Sequence, residues 1–395
     1  MNFAERALEI KDYIVEARRH FHKYPELSYK EWETTKYLIE KLTEMGIPVQ
    51  SFEDYPGCIA TIKGGCEGKT VLLRADIDAL PITENSGVEF QSVNEGLMHA
   101  CGHDCHTSML LGAAKLLNEK KDELKGTVKL LFQSGEEAFY GSHYYWDKGY
   151  LNGIDAAAGM HVWPTVQSGH MAIQDGYLMA ACDNFVLTFK GKSSHGSRPD
   201  EGHDAIVAAA SFLVNLQTVV SRLNNPLSPM VVTIGSMKAG TQFNIIAGEA
   251  VLEGTVRTYE AISRDMAEAA IRRVADSCAA MQGCTAVLDY DYIEPSVNND
   301  DHALNEIARE SAVTLWGEDV LEITPKATGS EDFSYLMEKI PSSLFMFLGC
   351  YDEASGSIYP VHNEKFRVNE DILPIGAAEY AQFAADYLEK GGTEA

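Results

Sequence analysis

Residues 98–108 constrain the fold of this chain more than any other segment. Reading M-H-A-C-G-H-D-C-H-T-S, the segment gathers three histidines, two cysteines and one aspartate within eight residues. An apolar stretch at 109–117 follows directly and is typical of a buried helix. The fold must therefore place this polar loop at the start of a core helix. Since imidazole, thiolate and carboxylate groups bind metal ions, we expect a metal centre here that other parts of the chain complete.

Length and charge exclude several classes of protein. The chain has 395 residues, which favours two domains. Its 32 Lys and Arg against 58 Asp and Glu give a net charge of -26, which argues against nucleic acid and anionic membranes as partners. We find no apolar run that approaches about 20 residues and no signal-peptide pattern at the N-terminus. Eight scattered cysteines indicate reduced thiols, so we expect a cytoplasmic protein.

Side chains suited to chemistry follow three apolar segments that are predicted to be strands. In a mostly parallel sheet with helical crossovers, the carboxyl ends of such strands lie along one edge. The sequence therefore predicts one composite site beside the 98–108 loop. The three segments and the residues after them are 71–75 with Asp76 and Asp78, 126–133 with Glu136 and Glu137, and 156–160 with His161.

The pattern of predicted elements changes near residue 183. From there to 294 the order is strand, helix, strand, strand, helix, strand, which is typical of a ferredoxin-like module. Alternating helices and strands return after it. We therefore predict an α/β protein in which residues 1–182 and 295–395 form a mixed-sheet catalytic domain. Residues 183–294 would form an inserted α+β domain.

Several kinds of chemistry remain open for the 98–108 loop from the residues alone. A closed structural zinc site is disfavoured because its potential ligands are crowded and no second Cys pair exists. The loop also fits a polar turn without metal, or an activated cysteine such as Cys101 or Cys105. The neighbours Glu136 and Glu137 favour hydrolysis, because one carboxylate can bind a metal while the other takes a proton from water.

The sequence resembles the aminoacylase/carboxypeptidase family of dinuclear metallopeptidases (peptidase family M20), and more closely its amidohydrolase subgroup. The resemblance runs from about residue 5 to residue 390, in order and at compatible spacing. The segments that carry it are R-R-H-F-H-K-Y-P-E-L (18–27), D-I-D-A-L-P (76–81), M-H-A-C-G-H-D-C-H (98–106), G-E-E (135–137), G-M-H-V-W-P (159–164), S-S-H-G-S-R-P (193–199), G-T-V-R (254–257), G-S-E-D-F (329–333) and V-H (361–362).

The resemblance implies two divalent metal ions per subunit, Mn²⁺ or Zn²⁺, with Co²⁺ or Ni²⁺ also suited to the ligands. Glu136 would be the general base, and Asp78 and Asp104 would orient ligands. Asp76 stands where other branches of the family carry histidine. The remaining cluster residues would be loop or ligand-orienting groups. The implied metal ligands are Cys101, His103, Glu137, His161 and His362.

The resemblance also implies roles for the inserted domain as a lid that forms homodimers or larger homo-oligomers. His195 would stabilise the oxyanion of the reaction, while Asn244 and Arg257 would hold the substrate carboxylate. The implied activity is metal-dependent hydrolysis of N-acyl amino acids, such as acetyl or benzoyl derivatives. Two alternatives remain, namely a dipeptidase or carboxypeptidase of the same two-metal chemistry, and a metal-occupied binding protein without turnover.

Overall fold

A computed structural model describes residues 2–390, and these residues form two compact units. The first comprises residues 2–178, 298–325 and 332–390, and the second comprises Met179–Val297 with Lys326–Glu331. The second unit is thus an insertion in the sequence of the first. The boundaries drawn from the sequence, 183 and 294, remain a prediction.

The first unit contains eight helices and most of the strands. The helices are α1 Phe3–Glu9, α2 Lys11–Lys23, α3 Trp32–Glu44, α4 His103–Glu119, α5 Gly141–Asp147, α8 His302–Trp316, α9 Phe333–Lys339 and α10 Leu373–Lys390. The strands are β1 Val49–Ser51, β2 Gly57–Lys63, β3 Cys66–Asp76, β4 Lys125–Gln133, β5 Ala156–Gln167, β6 Met171–Ala172, β7 Gly176–Met179, β12 Val297–Asn299 and β13 Ser343–Tyr351.

Seven strands of this unit form one mixed sheet in the order β1-β2-β4-β3-β5-β13-β6, and β7 pairs with β12. The four central strands are parallel, whereas β2 and β6 run antiparallel to their neighbours. Asp76 and Gln133 are register partners at the ends of β3 and β4. The expected mixed-sheet α/β fold is therefore confirmed. The ends of β3 and β4, which lead to Asp78 and to Glu136 and Glu137, lie side by side.

Two sequence-based boundaries differ from the structure. The strand predicted to end at Met160 continues as β5 to Gln167, because it stays paired with β13 beyond that point. His161 therefore lies inside a strand rather than after one. The near-helical spacing of the apolar residues in 4–22 predicts a single helix. The structure divides it into α1 and α2 at Ile10, whose φ of -98° and ψ of 14° depart from helical geometry.

Helix α4 forms the centre of the first unit's core. Nearly all of its side chains are buried, including those of its polar first turn. Gly112 allows the close approach of its neighbours, because a Cβ there would lie 2.9 Å from Ile14 Cδ1 and 3.0 Å from Ala377 Cβ. The helix that begins in the 98–108 segment is thus fixed by packing along its whole length.

The second unit is an antiparallel sheet covered by two helices. Its elements are β8 Ala181–Lys190, α6 Ala205–Thr218, β9 Val231–Ala239, β10 Glu249–Thr258, α7 Ala261–Met281 and β11 Thr285–Glu294. The strand order is β11-β8-β10-β9, and every pairing is antiparallel. Helix α6 begins at Asp204, whose side chain accepts hydrogen bonds from the Ile206 and Val207 amides. The order of these elements, strand, helix, strand, strand, helix, strand, is the connectivity of a ferredoxin-like module.

One helical segment of the described chain, Ala205–Leu223, is long and apolar enough to cross a membrane by length and composition alone. It has 19 residues, and its apolar window of 18 residues has a mean hydropathy of 1.5, with 28% of that window buried. The expectation that no apolar run approaches this length is therefore wrong. One face of the helix packs on the sheet through Ala209 and Phe212, while Val214 is 73% exposed on another face.

Candidate metal centre

Gly102 sets the geometry of the loop that begins α4. Its φ of +94° is in the left-handed region, which glycine adopts at low cost. A Cβ at this position would clash with the Val162 side chain. The turn brings Cys101 and His103, on either side of the glycine, towards one point above the ends of the central strands.

The five predicted metal ligands lie together in the structure. Potential ligand atoms of Cys101, His103 and His161 lie within 4.8 Å of one another, as do those of Cys101, Glu137 and His362. The Cys101 Sγ is 3.3 Å from His161 Nε2, and Glu137 Oε1 is 3.1 Å from His362 Nε2 and 3.9 Å from His103 Nε2. A shared site for one thiol, one carboxylate and three imidazoles is therefore present, although their role as ligands remains a proposal.

Hydrogen bonds within the protein hold the Nδ1 atoms of two of the imidazoles, His103 and His161. His103 Nδ1 lies 3.1 Å from Asp78 Oδ1, and His161 Nδ1 donates to the Val162 carbonyl oxygen at 2.7 Å. In both rings Nε2 is left to face the site. Second partners of this kind fix the tautomer and orientation of metal-binding histidines.

The site also contains buried polar atoms whose hydrogen-bonding capacity is not filled by the protein. Within residues 2–390, His103 Nε2 is buried and makes no hydrogen bond, and the buried Glu137 Oε1 has the ion-pair contact with His362 but no hydrogen bond of good geometry. Such atoms are costly to bury unless a ligand or ion satisfies them. The donor set, with thiol, carboxylate and imidazole groups, fits borderline-soft divalent cations. The residues present therefore fit a metal centre.

Electrostatics favour positive charge at the same place. Burial alone would lower the pKa of His103, but Asp76, Asp78 and Glu137 raise it to about 10. Burial, followed by the charge of Glu137, raises the pKa of the Cys101 thiol well above its usual value. A thiolate in this position thus needs a neighbouring cation, so an activated cysteine nucleophile acting without one is disfavoured.

Glu136 and Glu137, in the segment that follows β4, both bring a carboxylate oxygen to the site, and potential ligand atoms of the two lie within 4.8 Å of each other and of His103. Glu136 Oε2 lies 3.9 Å from His103 Nε2, and only 11% of its side chain is exposed. The amide of Glu137 donates to Asp78 Oδ2 at 2.9 Å. Glu137 therefore lies close to both His362 and His103, whereas Glu136 lies close to His103. This is the arrangement expected for a ligand and a general base.

The other two histidines and the second cysteine of the cluster are buried inside the protein. His106 uses both ring nitrogens inside the protein: Nδ1 donates to Asp76 Oδ1 at 2.6 Å, and Nε2 accepts from the Val162 amide at 2.9 Å. It therefore ties β3 to β5 next to His161. Cys105 is fully buried in the core. His99 is buried as well, and burial lowers its pKa to about 4, so its ring is neutral.

Asp104 anchors the loop to α2. It accepts hydrogen bonds from Arg18 Nε at 2.7 Å and pairs with His22 Nδ1 at 2.8 Å, and all three groups are buried. Arg18 and His22, from the last turns of α2, thus support the loop from inside the protein. The charge of Arg18 overcomes burial and holds the pKa of Asp104 below its usual range.

A second buried network was missed by the sequence analysis. Arg74 pairs with Asp76 Oδ2 at 2.7 Å and with Asp332 Oδ1 at 2.8 Å, and its Nε donates to Gln133 Oε1 at 2.9 Å. Asp332 also accepts from the Ser142 amide. A charged residue inside the apolar run that forms β3 was the available signal, because a central strand buries such a residue only with partners.

Left-handed backbone is concentrated near the site. The non-glycine residues with positive φ among the described residues are Tyr29, Phe139, Tyr140 and His362. His362 is itself a predicted ligand, and the Tyr29 hydroxyl donates to the Phe139 carbonyl oxygen two residues after Glu137. Strained backbone of this kind is held in place by its surroundings and is common at functional sites.

The remaining predicted residues belong to the second unit. His195 is exposed, and its Nδ1 accepts from the Ser197 amide at 3.1 Å, which leaves Nε2 as the ring nitrogen that can donate. The Gly196 amide donates to the Asn244 carbonyl oxygen at 2.7 Å, which joins their two loops. Arg257, in β10, donates to neutral oxygens of Thr255 and Val256. The roles of His195, Asn244 and Arg257 remain proposals.

Comparisons with known proteins identify the family of the chain. The sequence model of peptidase family M20/M25/M40 matches residues 72–386. Thermostable carboxypeptidase 1 of Saccharolobus solfataricus is 38% identical over 387 residues, covering 97% of each chain. N-acetylcysteine deacetylase of Bacillus subtilis is 39% identical over 377 residues, covering 95% of this chain and 97% of that protein.

A solved structure extends the likeness to the fold. The Bacillus subtilis YXEP protein, described as a dinuclear metal-binding peptidase of the M20 family, superposes with a TM-score of 0.86 at 36% identity, covering 96% of this chain and 99% of that chain. The chain therefore belongs to peptidase family M20/M25/M40. It is a metal-dependent hydrolase that acts on amide bonds, of the amidohydrolase and peptidase type.

Proposed function

We propose that this protein hydrolyses N-acyl amino acids to a carboxylic acid and a free amino acid. The observation that carries the proposal is the placement of Glu136 beside the group formed by Cys101, His103, Glu137, His161 and His362. The relative named N-acetylcysteine deacetylase, 39% identical, supports an acylated amino acid as the substrate. N-acetyl and N-benzoyl amino acids are the first substrates to test.

We propose the five residues as the ligands of two divalent cations, with Mn²⁺ and Zn²⁺ preferred and Co²⁺ and Ni²⁺ also compatible with the donor set. Cations held there would supply Lewis acidity to the scissile carbonyl and would acidify a water molecule. The thiolate of Cys101 and the carboxylate of Glu137 would offset part of their charge. Asp78 would keep His103 in the tautomer that presents Nε2.

The remaining steps belong to side chains of the chain itself. Glu136 would take the proton of the attacking water and return it to the leaving amine, as a base and then an acid. His195 would donate from Nε2 to the oxyanion that develops on the carbonyl oxygen. Arg257 and Asn244 would bind the substrate carboxylate. The guanidinium of Arg257 suits this role, because its hydrogen bonds within the chain go to neutral oxygens.

Peptide hydrolysis by the same chemistry is the second candidate function, since a relative of 38% identity is named a carboxypeptidase. The two candidates differ in what precedes the scissile bond, an acyl group or an aminoacyl group. A panel of N-acetyl amino acids, N-benzoyl amino acids and dipeptides, assayed with Mn²⁺- or Zn²⁺-loaded protein, separates them by kcat/KM. Absence of turnover on the whole panel by metal-loaded protein would instead indicate a binding protein.

Two further properties are part of the proposal. We propose a homodimer formed through the lid, which the exposed side chains of α6, such as Val214 and Ile206, support. A cytoplasmic location is supported by the cysteines, all eight of which are free thiols in the structure. Light scattering at micromolar concentration tests the first property, and localisation of the tagged full-length protein tests the second.

A further inference from the structure

Glu31 is a buried carboxylate whose side chain serves the segment that carries Glu136 and Glu137. Its exposure is 0%, and it stands immediately before α3. Ser134 Oγ donates to Glu31 Oε2 at 2.7 Å, and the Gly135 amide donates to Glu31 Oε1 at 3.0 Å. Both carboxyl oxygens therefore hold the backbone turn that leads directly to the candidate base.

Asp78 also holds the 134–137 turn at its C-terminal end, and the ring of Tyr29 packs against it. Asp78 Oδ2 accepts from the Glu137 amide at 2.9 Å. Gly135 has a φ of +79°, and the ring of Tyr29 lies so close that a Cβ on this glycine would clash with it. Glu136 is thus placed between two anchored residues, with Glu31 on the side nearest β4.

Support of α3 does not account for the side chain of Glu31. It is the residue at the N-cap position of α3, yet its side chain makes no capping hydrogen bond. Glu26 performs that role, because its carboxylate accepts from the Thr34 amide at 2.8 Å and the Glu33 amide at 3.3 Å. Two glutamates therefore lie near one helix end, one serving the helix and the other serving the 134–137 segment.

The environment of Glu31 makes its burial costly. Burial, followed by the negative charge of Asp78, raises the pKa of its carboxyl to about 8. A carboxyl group needs hydrogen bonds to be tolerated in such a place. Those bonds are made with Ser134 and Gly135, and their geometry suits either protonation state, since the Ser134 hydroxyl can donate or accept.

We propose that Glu31 is a positioning residue that fixes the 134–137 segment so that Glu136 and Glu137 keep their places at the metal centre. The inference rests on the proposed function of those two carboxylates. It predicts that loss of Glu31 lowers turnover more than substrate binding, because a shift of about 1 Å in a reacting group can cost about 10²-fold in rate.

The test compares Glu31→Ala with Glu31→Gln and with the matched control Glu26→Ala, all as metal-loaded full-length protein. We expect Glu31→Ala to lower kcat by about 10- to 100-fold with KM changed less than about threefold. Glu31→Gln should retain kcat within about threefold, because its amide oxygen accepts from Gly135 and its amide nitrogen donates to Ser134. Glu26→Ala should lower the melting temperature and leave kcat within about twofold.

Amide hydrogen exchange supplies a readout that does not depend on activity. Glu31→Ala should raise the exchange rate of the Gly135 amide by about tenfold or more, whereas Glu26→Ala should raise exchange at Thr34 and not at Gly135. If Glu31→Ala does not fold, Ser134→Ala takes its place. It removes one of the two bonds and should raise exchange at Gly135 and lower kcat about threefold or more.

The proposal is overturned if Glu31→Ala or Ser134→Ala leaves both the Gly135 exchange and kcat at wild-type values. It is also overturned if Glu26→Ala lowers kcat as much as Glu31→Ala does. Failure of the proposed function is a distinct result, namely that wild-type protein turns over no N-acyl amino acid or dipeptide. In that case the exchange of Gly135 still decides whether Glu31 holds the segment.

Discussion

Cys101 and Cys105 offer a matched pair for testing the ligand assignment, because they lie four positions apart, Cys101 just before α4 and Cys105 in its first turn, and both are buried. Cys101 Sγ lies 3.3 Å from His161 Nε2 and shares the site with His103 and Glu137. Cys105 is packed in the apolar core. Serine replaces the thiol with a harder and far less acidic group, so only Cys101→Ser removes a soft anionic ligand.

The expected changes in metal affinity and in the free energy of unfolding follow from the surroundings of the two cysteines. Loss of groups that merely orient ligands costs about 10- to 100-fold in metal affinity, so Cys101→Ser should cost at least that much. Cys105→Ser should leave affinity unchanged and lower the free energy of unfolding by about 1–3 kcal/mol, the cost of burying a hydroxyl without a full set of partners. Dialysis against chelators of graded affinity, followed by elemental analysis and urea unfolding of each variant, measures both quantities. Equal metal content in the two variants would refute the ligand assignment.

Three other variants test separate parts of the structure. Arg74→Met should destabilise the fold by about 3–5 kcal/mol in urea unfolding, since it leaves buried carboxylates such as Asp332 unpaired; a loss under about 1 kcal/mol would contradict the pairing. Glu379 is fully buried, and burial raises its pKa well above 4.5, so the folded state keeps a proton that the unfolded state releases as pH rises. Glu379→Gln should therefore be more stable than wild type at pH 8, by a margin that shrinks towards about pH 4.5, and a margin independent of pH would refute this. His195→Ala should lower kcat by about 100-fold or more with metal content unchanged, and unchanged kcat would remove His195 from the reaction.

Local sequence patterns were sufficient to predict several of the side chains that the structure brings together. The crowding of residues 98–106 and the acidic pair after β4 predicted where strand ends and a helix start meet, and the structure brings Cys101, His103 and Glu137 together there. These signals are short-range, because periodicity and turn residues act over a few positions. His161 was found for the wrong reason, since it lies within β5 rather than at its end.

Local sequence patterns did not predict the contacts between residues that are far apart in the sequence. His362 lies in a loop with φ of +64°, where nothing in the neighbouring residues marks it, and only the family resemblance pointed to it. The bonds from Glu31 to residues 134–135 and from Arg74 to Asp332 join positions far apart in the sequence. Such pairs arise from the three-dimensional packing of α3, the strands and α9. The sequence alone shows only that a charged residue stands where an apolar residue is expected.

The role of Glu136 is the central claim, and Glu136→Gln tests it most directly because the amide keeps the shape of the side chain but cannot accept the proton of water. The measurement is kcat on N-acetyl and N-benzoyl amino acids, made on protein whose metal content has been determined by elemental analysis. We predict that the variant binds the same amount of metal as wild type while kcat falls by about 10²- to 10⁴-fold. Wild-type turnover by the fully metal-loaded variant would contradict the account.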